Sequence, residues 1–563
     1  MSLSDLSIRD HLARGRTAHP DTFVRDNLPP AADWPTLDCF GLDTGALSYP
    51  AQLNCASELL DRHVRDGHGD RPALYASNRW ISYAELLAWA NRIAATLQAD
   101  LGLLPGNRVL LRGYNSPWMI AAWLGVLKAG GVVVATMPLL RARELGHLLD
   151  RAKVHLALCD ARLADEMRQA AERADHPVRV VFEQPDGGPD TLGALCANKS
   201  GGFLNVQTAA DDPCLIAFTS GTTGTPKGAV HAHRDVLAIC DTFSAHVLRP
   251  SPTDVFAGSP PLAFTYGLGG LLTFPFRVGA ATALLETVTP AALLQLIDEA
   301  GVTTLFTSPT MYRSLLDQLR ERPVPASLRA CVSAGEPLPL VTFQAWEQAT
   351  GLRIIDGIGA TEMLHIFISA AGSEIVPGAT GKVVPGYEAR VVDEQGQPVP
   401  DGQVGLLAVR GPTGCRYLAD PERQRQYVRD GWNFSGDAYV RDERGYFWFQ
   451  ARADDMIISA GYNIAGPEIE NVLLEHPKVK ECGVVGAPDP ARGHIVKAYI
   501  VLRDAADATP ATVEELQQFV KSEIAPYKYP RAIEFVDQLP RTETGKLQRF
   551  KLRQEAEGDP SPR

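Results

Sequence analysis

The sequence predicts an α/β protein with a large N-terminal domain and a small, mobile α+β C-terminal domain. Three observations support this. Apolar helical stretches alternate with short Val/Ile/Leu runs up to about residue 375, which is typical of two mostly parallel, buried sheets. Beyond that point, short strands separated by turns predict a β-rich subdomain. Near residue 450 the pattern changes again, to a compact unit of helices and strands.

The alternating region supplies the first elements. Its helical stretches and strand runs are 83–97, 293–300, 109–111, 156–159, 178–181 and 304–306. The apolar stretch 118–140 is interrupted by Lys128 and by the Gly130-Gly131 pair. A spanning helix needs about 20 continuous apolar residues, so we expect a buried helix at 118–129, a turn and a strand at 132–135.

The later elements divide the chain. The β-rich subdomain should contain strands at 386–393 and 405–411. The C-terminal unit should contain, in order, a helix, two strands, a helix and a strand, at 467–475, 479–486, 496–502, 513–524 and 532–536. The predicted domains are therefore 1–453 and 454–563.

Composition excludes several classes of function. The chain of 563 residues has 54 basic and 66 acidic side chains, a net charge of −12, and no basic block. Nucleic-acid binding requires clustered Lys and Arg, so that class is not expected. The nine cysteines occur singly, which favours reduced thiols in a cytoplasmic protein. The N-terminus has no apolar signal core, so we expect neither secretion nor a membrane anchor.

The strongest local motif is a loop rich in glycine and hydroxyl residues that follows the apolar run 215–218. Its glycines allow close backbone approach, and successive N–H groups can cradle an anion. Lys227 adds a positive charge, and Gly228 stands where a Walker loop would have a hydroxyl. The candidate phosphate-binding residues are Thr219, Ser220, Gly221, Thr222, Thr223, Gly224 and Lys227.

The run Ser-Gly-Thr-Thr-Gly-x-Pro-Lys-Gly at 220–228 resembles the phosphate-loop signature of the adenylate-forming superfamily. That superfamily includes acyl- and aryl-CoA synthetases, peptide adenylation domains and luciferases. Its other motifs follow in order along nearly the whole chain. The resemblance implies ATP, Mg²⁺ and coenzyme A as cofactors and co-substrates.

The resemblance also implies roles for particular residues. Thr361 would hydrogen-bond the α-phosphate, and Glu362 would hold Mg²⁺, a hard cation that prefers carboxylate and phosphate oxygens. Asp437 would accept the two ribose hydroxyls, and Arg452 would contact the ribose. Further nucleotide contacts are implied for Gly335, Glu336, Asp356, Gly357 and Ile358. Taken alone, Arg452 and Asp455 would be an ordinary surface pair.

In the C-terminal unit, Lys546 matches the catalytic lysine of the family and Asp454 matches its hinge residue. Lys546 would bridge the substrate carboxylate and the α-phosphate by electrostatic positioning. The residues implied to contact CoA are Ser459, Ala460, Gly461 and Tyr462. The chain departs from the common pattern at Ile458 and His494, which affects the details of these contacts.

The acyl-binding segments resemble the benzoate- and 2-aminobenzoate-CoA ligase branch. The residues that would surround the aromatic ring are Tyr266, Gly267, Gly359, His365 and Ile366. A flat apolar acid needs aromatic and aliphatic walls. The alternative for His365 is a core histidine with its hydrogen bonds satisfied.

The resulting hypothesis is an ATP-dependent aryl-CoA ligase that forms acyl-AMP and then aryl-CoA, AMP and pyrophosphate. Its partners would be an aromatic acid, ATP and CoA, and the protein would be a monomer or a homodimer. Two alternatives stay open at this point. The enzyme could load the acid onto a separate carrier protein, or the chain could be a non-catalytic binding protein.

Overall fold

The structure is a computed structural model, and its described part is discontinuous. The described residues are 16–43, 47–184, 187–219, 226–452, 455–459, 462–489, 493–541 and 547–558, with the backbone alone at 458, 462, 463 and 493.

The strands, numbered in chain order, cover both predicted domains. They are β1 Pro72–Ala76, β2 Arg79–Ser82, β3 Arg108–Arg112, β4 Val132–Thr136, β5 Leu156–Asp160, β6 Arg179–Glu183, β7 Pro213–Thr219, β8 Lys227–Ala232, β9 Val255–Gly258, β10 Ala281–Ala283, β11 Thr304–Thr307, β12 Ala330–Ser333, β13 Ile354–Gly359, β14 Ile366–Ser369, β15 Lys382–Val383, β16 Glu388–Val392, β17 Val404–Arg410, β18 Val428–Arg429, β19 Trp432–Arg441, β20 Phe447–Arg452, β21 Ile457–Ser459, β22 Tyr462–Ile464, β23 Val479–Asp489, β24 Gly493–Leu502 and β25 Ala532–Phe535.

Two large sheets carry the N-terminal body. One has six strands in the order β6-β5-β3-β4-β7-β8, parallel except for β8. The other has nine strands in the order β15-β14-β13-β12-β11-β9-β10-β1-β2, with a parallel centre and antiparallel edges. A third, antiparallel sheet contains β16 to β20. The predicted fold class is therefore confirmed.

Helices cover the faces of these sheets. The α-helices are α1 Phe23–Asp26, α2 Arg62–Arg65, α3 Tyr83–Ala99, α4 Pro117–Lys128, α5 Ala142–Ala152, α6 Ala164–Arg173, α7 Leu192–Ala197, α8 His233–Ile239, α9 Thr265–Leu268, α10 Phe274–Val278, α11 Pro290–Ala300, α12 Pro309–Leu319, α13 Leu340–Thr350, α14 Pro421–Tyr427, α15 Gly466–Glu475, α16 Pro510–Glu523 and α17 Arg549–Glu557. Three further segments are wound as π-helix, at Ser57–Asp61, Cys240–Leu248 and Gly269–Thr273.

Local chemistry explains where the predicted helices begin. At α3, Ser82 accepts a hydrogen bond from the Glu85 amide while the Glu85 carboxylate accepts one from the Ser82 amide. This capping box satisfies two N–H groups that the first turn leaves unpaired. The apolar stretch at 118–140 forms α4, a turn and β4, as expected. Lys128 is fully buried in it and pairs with Asp61, its Nζ lying 2.5 Å from Oδ1.

The C-terminal residues have hydrophobic clusters of their own. In one cluster, Ile457, Ile469, Val484 and Leu516 pack between a mixed sheet and its helices. That sheet has the order β22-β21-β24-β23, with β25 added parallel to β24. Asp454 lies outside the described residues, so the division at 453/454 and the hinge stay predictions. Among the described residues, no helix is both long and apolar enough to cross a membrane.

Candidate active site

The two strands that flank the phosphate loop are antiparallel neighbours. Thr219 ends β7 and Lys227 begins β8, and these two residues lie opposite each other. The other predicted loop residues, Ser220, Gly221, Thr222, Thr223 and Gly224, lie outside the described part of the chain. The end of β7 and the start of β8 therefore meet at one position at the edge of the six-stranded sheet.

A buried histidine of β8 holds Thr361 and Glu362 close to the strand ends at Thr219 and Lys227. They lie in a short 3₁₀ turn, Thr361–Met363, after β13. His231 of β8 has its Nε2 2.8 Å from the carbonyl oxygen of Thr361. Burial lowers the pKa of His231 to about 4, so at neutral pH the uncharged ring donates this hydrogen bond. The two sheets thus bring together motifs that are more than 100 residues apart in the sequence.

The carboxylate of Glu362 is oriented by Tyr417, which the sequence analysis did not single out. The Tyr417 hydroxyl donates to Glu362 Oε1 at 2.6 Å, and Lys227 Nζ lies 5.8 Å from the centre of the Tyr417 ring. Burial, followed by the nearby Arg423, lowers the pKa of Lys227, while Glu362 opposes that shift. An oriented carboxylate beside two cations suits a polyphosphate and the hard cation that accompanies it.

Asp437 and Arg452 face each other across β19 and β20. Arg452 Nη1 lies 3.2 Å from Asp437 Oδ1 and 3.0 Å from the carbonyl oxygen of Ser435. Gly436 between them has φ +77°, and a Cβ there would lie only 2.9 Å from the guanidinium. The structure therefore joins Arg452 to Asp437, whereas Asp455 pairs with Arg553. The alternative of an Arg452–Asp455 pair was wrong.

The predicted adenine segment lies on the neighbouring strands β12 and β13, where Ser333 is opposite Asp356. Burial raises the pKa of Asp356 to about 7, while hydrogen bonds from the Gly357 amide and the Ser333 side chain oppose the shift. A cleft beside Asp356 is lined by Leu338 and Thr380, among others. A carboxyl group in such a cleft can recognise the edge of a base.

The remaining residues of this segment have structural contacts. Gly335 has φ +90°, in the region that favours glycine. Glu336 Oε2 accepts a hydrogen bond from Thr310 Oγ1 at 2.9 Å. Ile358 packs against the main hydrophobic core. A Cβ on Gly357 would lie 2.8 Å from Ile366, so this glycine lets β13 and β14 approach.

His365 lies within a cage of aromatic rings. Its ring centre is 4.5 Å from that of Phe274, 5.6 Å from Phe243 and 5.8 Å from Tyr266. Phe306 completes the cage at 6.5 Å. Burial lowers the pKa of His365 to about 3, although the nearby carbonyl of Tyr266 opposes this. Neither ring nitrogen makes a hydrogen bond of normal geometry within the described part of the chain.

His365 is thus a buried histidine whose ring nitrogens lack a hydrogen bond of normal geometry among the described residues, although the Tyr266 carbonyl lies near the ring, and its part in acid binding stays a prediction. The rings of Phe243, Phe274 and Phe306 come from distant segments and were missed by the sequence analysis. They are brought together by two of the π-helical segments, which hold Phe243 and the Gly269-Gly270 pair. π-helical turns are often found at functional sites.

Glycines let the backbone approach the aromatic cage closely. A Cβ on Gly269 would lie 2.3 Å from the His365 ring, and one on Gly270 would lie 2.6 Å from Phe306. Gly359 lies against the His365 main chain, where a Cβ would be 2.7 Å from the carbonyl carbon. These distances leave no space for larger side chains at the three positions.

The other residues predicted to contact the acid lie next to the aromatic cage around His365. The Tyr266 hydroxyl donates to the carbonyl oxygen of Val332 at 3.0 Å, so it fixes the ring rather than facing a ligand. Gly267 lies against the backbone of Pro261, where a Cβ would be 2.1 Å from the carbonyl oxygen. Ile366 is buried on β14 and adjoins Gly359 of β13.

The segments predicted to contact CoA meet at one end of the C-terminal sheet. Ser459 of β21 is paired with Gly493 of β24, and Gly493 is paired with Asp489 of β23. Ser459 is buried and also pairs with Tyr462 along the backbone. Ala460 and Gly461 lie outside the described residues. His494, one of the two departures from the family pattern, is exposed and lies opposite Pro488.

Lys546 also lies outside the described residues, but the base of its loop is defined. Arg541 and Leu547 form a β-bridge, and the Gln548 amide donates to the carbonyl oxygen of Pro540 at 2.9 Å. Arg541 also pairs with Glu481, with 2.7 Å between Nη2 and Oε2. The described residues on either side of the segment that carries Lys546 are thus joined to each other.

Comparisons with known proteins agree with this geometry. Residues 60–417 match the model of the AMP-binding enzyme family, and residues 468–546 match that of the AMP-binding enzyme C-terminal domain. A benzoate–CoA ligase of Thauera aromatica is 36% identical over 519 residues, which cover 90% of this chain and 97% of that protein. A 3-hydroxybenzoate–CoA ligase of Aromatoleum sp. is 34% identical and covers 89% and 97%.

Solved structures give the same result. The crystal structure of the anthranilate CoA ligase AuaEII with anthranoyl-AMP has a TM-score of 0.86 and 33% identity, over 91% of this chain and 99% of that one. A benzoate CoA ligase from Burkholderia xenovorans LB400 has a TM-score of 0.82 and 33% identity, over 89% of this chain and 100% of that one. Both folds therefore match the described architecture over most of its length.

Proposed function

This chain belongs to the AMP-binding enzyme family and is an AMP-forming aryl-CoA ligase, and we propose that its acid is a benzoate with a hydrogen-bonding ring substituent, such as 2-aminobenzoate. The observation that carries the proposal is the cage around His365. Phe243, Tyr266, Phe274 and Phe306 pack around the His365 ring and fix it, and the flat ring of the acid would lie beside this aromatic group.

The imidazole of His365 is the reason for proposing a hydrogen-bonding substituent on the ring of the acid. The Tyr266 carbonyl can only accept, so it favours an N–H on the side of His365 that faces it. The other ring nitrogen of the neutral ring then carries a lone pair inside an apolar cage. An unpaired buried acceptor is costly, and a substrate N–H or O–H would satisfy it. A benzoate that bears an amine or a hydroxyl is the simplest acid that brings such a donor.

In the first half-reaction, a carboxylate oxygen attacks the α-phosphorus of ATP and the bond to pyrophosphate breaks. Lys227, the phosphate loop and Thr361 would hold the phosphates, and Asp437 would accept the ribose hydroxyls. Glu362, oriented by Tyr417, would hold Mg²⁺, which neutralises phosphate charge when bound. Lys546 would neutralise charge that develops between the carboxylate and the α-phosphate.

In the second half-reaction, the CoA sulfur attacks the acyl carbon and AMP leaves as the thioester forms. The joined segments around Ser459, Gly493 and Asp489 would guide the pantetheine arm. Rotation of the C-terminal domain about Asp454 would withdraw Lys546 and bring the segments around Ser459, Gly493 and Asp489 to the active site. Exchanging these two parts of the C-terminal domain lets one site carry out two reactions.

The test is pyrophosphate release with benzoate, 2-aminobenzoate, hydroxybenzoates, halobenzoates, phenylacetate and short fatty acids, with the CoA thioester identified by mass spectrometry. We expect the highest kcat/KM with an amino- or hydroxybenzoate. A preference for phenylacetate or fatty acids would overturn the proposed acid. Pyrophosphate release without a CoA thioester would indicate a carrier protein as acceptor, and no release with any acid would indicate a binding protein.

A further inference from the structure

Two cysteines and a histidine lie together at a site that the ligase chemistry does not use. Cys55 precedes the π-helical segment Ser57–Asp61, Cys214 is in β7, and His233 begins α8. All three side chains are fully buried, and Cys55 Sγ, Cys214 Sγ and a ring nitrogen of His233 lie within 4.8 Å of one another. The other buried cysteines outside this group, such as Cys240 and Cys331, do not belong to any such cluster of described residues.

The His233 ring is positioned to act on Cys55. Its Nδ1 accepts a hydrogen bond from the Cys55 amide at 3.2 Å and is also 3.2 Å from Cys55 Sγ. Since Nδ1 is an acceptor there, its lone pair points towards Cys55 and the ring proton is on Nε2. A base beside one thiol, with a second thiol next to it, resembles the pairing of a nucleophilic and a resolving cysteine in redox sensors, but sensor thiols are usually solvent-accessible and this pair needs a route for the oxidant.

The two thiols differ in character. Burial opposes ionisation of Cys55, but a hydrogen bond from Cys214 and the imidazolium that His233 becomes on taking the thiol proton lower the pKa of Cys55. Burial and the neighbouring Cys55 raise the pKa of Cys214. Buried thiols without such partners behave differently, and burial raises the pKa of Cys331 to about 12. Cys55 therefore has the character of a nucleophile and Cys214 that of a resolving thiol.

We propose that Cys55 and Cys214 are an oxidisable pair that forms a reversible disulfide with peroxide. His233 Nδ1 takes the thiol proton of Cys55, whose sulfur attacks one peroxide oxygen and breaks the O–O bond. The proton goes to the leaving oxygen, giving water and a sulfenic acid on Cys55. The Cys214 sulfur then attacks the Cys55 sulfur, and the sulfenic hydroxyl leaves as a second water with the Cys214 proton. One peroxide thus accepts two electrons and yields one disulfide and two waters.

Access to this buried pair would come from an N-terminal strap, residues 16–21. Thr17 Oγ1 donates to Asp212 Oδ1 at 2.6 Å, and the Ala18 amide donates to Asp212 Oδ2 at 3.1 Å. The next residue along, His19, is buried, and burial lowers its pKa, with Asp212 opposing the shift and the nearby His233 adding to it. These two hydrogen bonds hold the strap to Asp212, and peroxide would reach the pair through local opening of these contacts.

The test treats the native, full-length enzyme with limiting hydrogen peroxide, blocks free thiols and digests without reduction. We expect a peptide pair joined through Cys55 and Cys214 and lighter by two hydrogen atoms, which dithiothreitol reverses. Cys55 should be consumed at least about ten-fold faster than Cys331, the internal control, because thiolate is the reactive form. Cys214→Ser should trap the sulfenic acid on Cys55, which a dimedone adduct would reveal.

The proposal fails if Cys55 and Cys331 are oxidised at the same rate or if no joined peptide forms in wild type. It also fails if the purified protein contains one zinc ion per chain that is lost in Cys55→Ser, because the same three groups would then be metal ligands. His233→Asn should slow oxidation of Cys55 without changing that of Cys331. If His233→Asn does not fold, the comparison of Cys55 with Cys331 in wild type still decides.

Discussion

The polar half of the candidate site and its aromatic half are built in different ways. In the polar half, Glu362, Tyr417 and Lys227 fix one another by hydrogen bonds and charge, and Asp437 holds Arg452 across two strands. In the aromatic half, the central imidazole has no hydrogen bond of normal geometry and is fixed by packing. The polar half is therefore specified by a few atoms, whereas the aromatic half is specified by shape. Substitutions should accordingly slow the reaction in one half and change its substrate in the other.

The largest effect is expected from Lys546→Ala. Loss of this charge should lower the rate of acyl-AMP formation about 100- to 1,000-fold, because the charge acts only in the first transition state. Thioester formation from supplied acyl-AMP should change far less, and single-turnover assays of each half-reaction measure the difference. The exposed Lys551 on α17 provides the control, as Lys551→Ala should leave both rates unchanged. Equal losses in the two half-reactions would contradict the assignment.

The aromatic half is tested by His365→Phe, which keeps a ring and removes both nitrogens. The ratio of kcat/KM for 2-aminobenzoate to that for benzoate should fall about 10- to 100-fold, since one buried hydrogen bond of about 1–3 kcal/mol is lost. Activity with benzoate in the same variant reports whether the cage still folds. An unchanged ratio would exclude His365 as the group that reads the substituent.

A smaller effect is expected from Tyr417→Phe, which removes the hydrogen bond to Glu362. We expect about a ten-fold lower kcat/KM and a higher Mg²⁺ concentration for half-maximal pyrophosphate release, because the carboxylate loses its orientation. Tyr427 stacks edge-on against Tyr417, and its hydroxyl has no hydrogen-bond partner among the described residues. Tyr427→Phe is thus the matched control, and equal effects of the two variants would argue for packing alone.

The smallest effect concerns stability and pH. Burial raises the pKa of Asp356 to about 7 from an ordinary value near 3.8. Between these values the folded carboxyl holds a proton that the unfolded chain has lost, so stability falls as pH rises from about 4 to 7. In nucleotide-free enzyme, Asp356→Asn should reduce the fall in Tm between pH 5 and pH 8. The exposed Asp537 is the control, and a slope as steep in Asp356→Asn as in wild type would contradict the assignment.

The two halves also differ in how far the sequence predicts them. Thr361, Glu362, Asp437 and Arg452 belong to contiguous motifs, so their expected roles follow from the resemblance, and the structure places the first two in the turn after β13 and the other two opposite each other on β19 and β20. Phe243, Phe274 and Phe306 belong to no motif, because an aromatic residue in the core has the same local pattern as one that lines a site. Only the folding of three distant segments around His365 distinguishes them.

The same limit applies to single contacts within the polar half. Tyr417 and His231 lie outside the motif residues that they position, and no spacing rule connects them to Glu362 or Thr361. By contrast, the sheets and helices were predictable because their signal is repeated over many residues. The alternation of apolar runs that predicted α4 and β4 is one example. It did not indicate that the buried Lys128 within it pairs with Asp61.

The π-helical segments Cys240–Leu248 and Gly269–Thr273 give the aromatic cage an unusual route of evolutionary change. A π-helical turn holds one residue more than an α-helical turn. Because the extra residue is absorbed in a wide turn, deletion of one residue would return that turn to α-helical winding and leave the helix beyond it close to its present orientation. A one-codon deletion would therefore change the cage locally, at Phe243 or at the Gly269-Gly270 pair, without substitution of any residue in the cage.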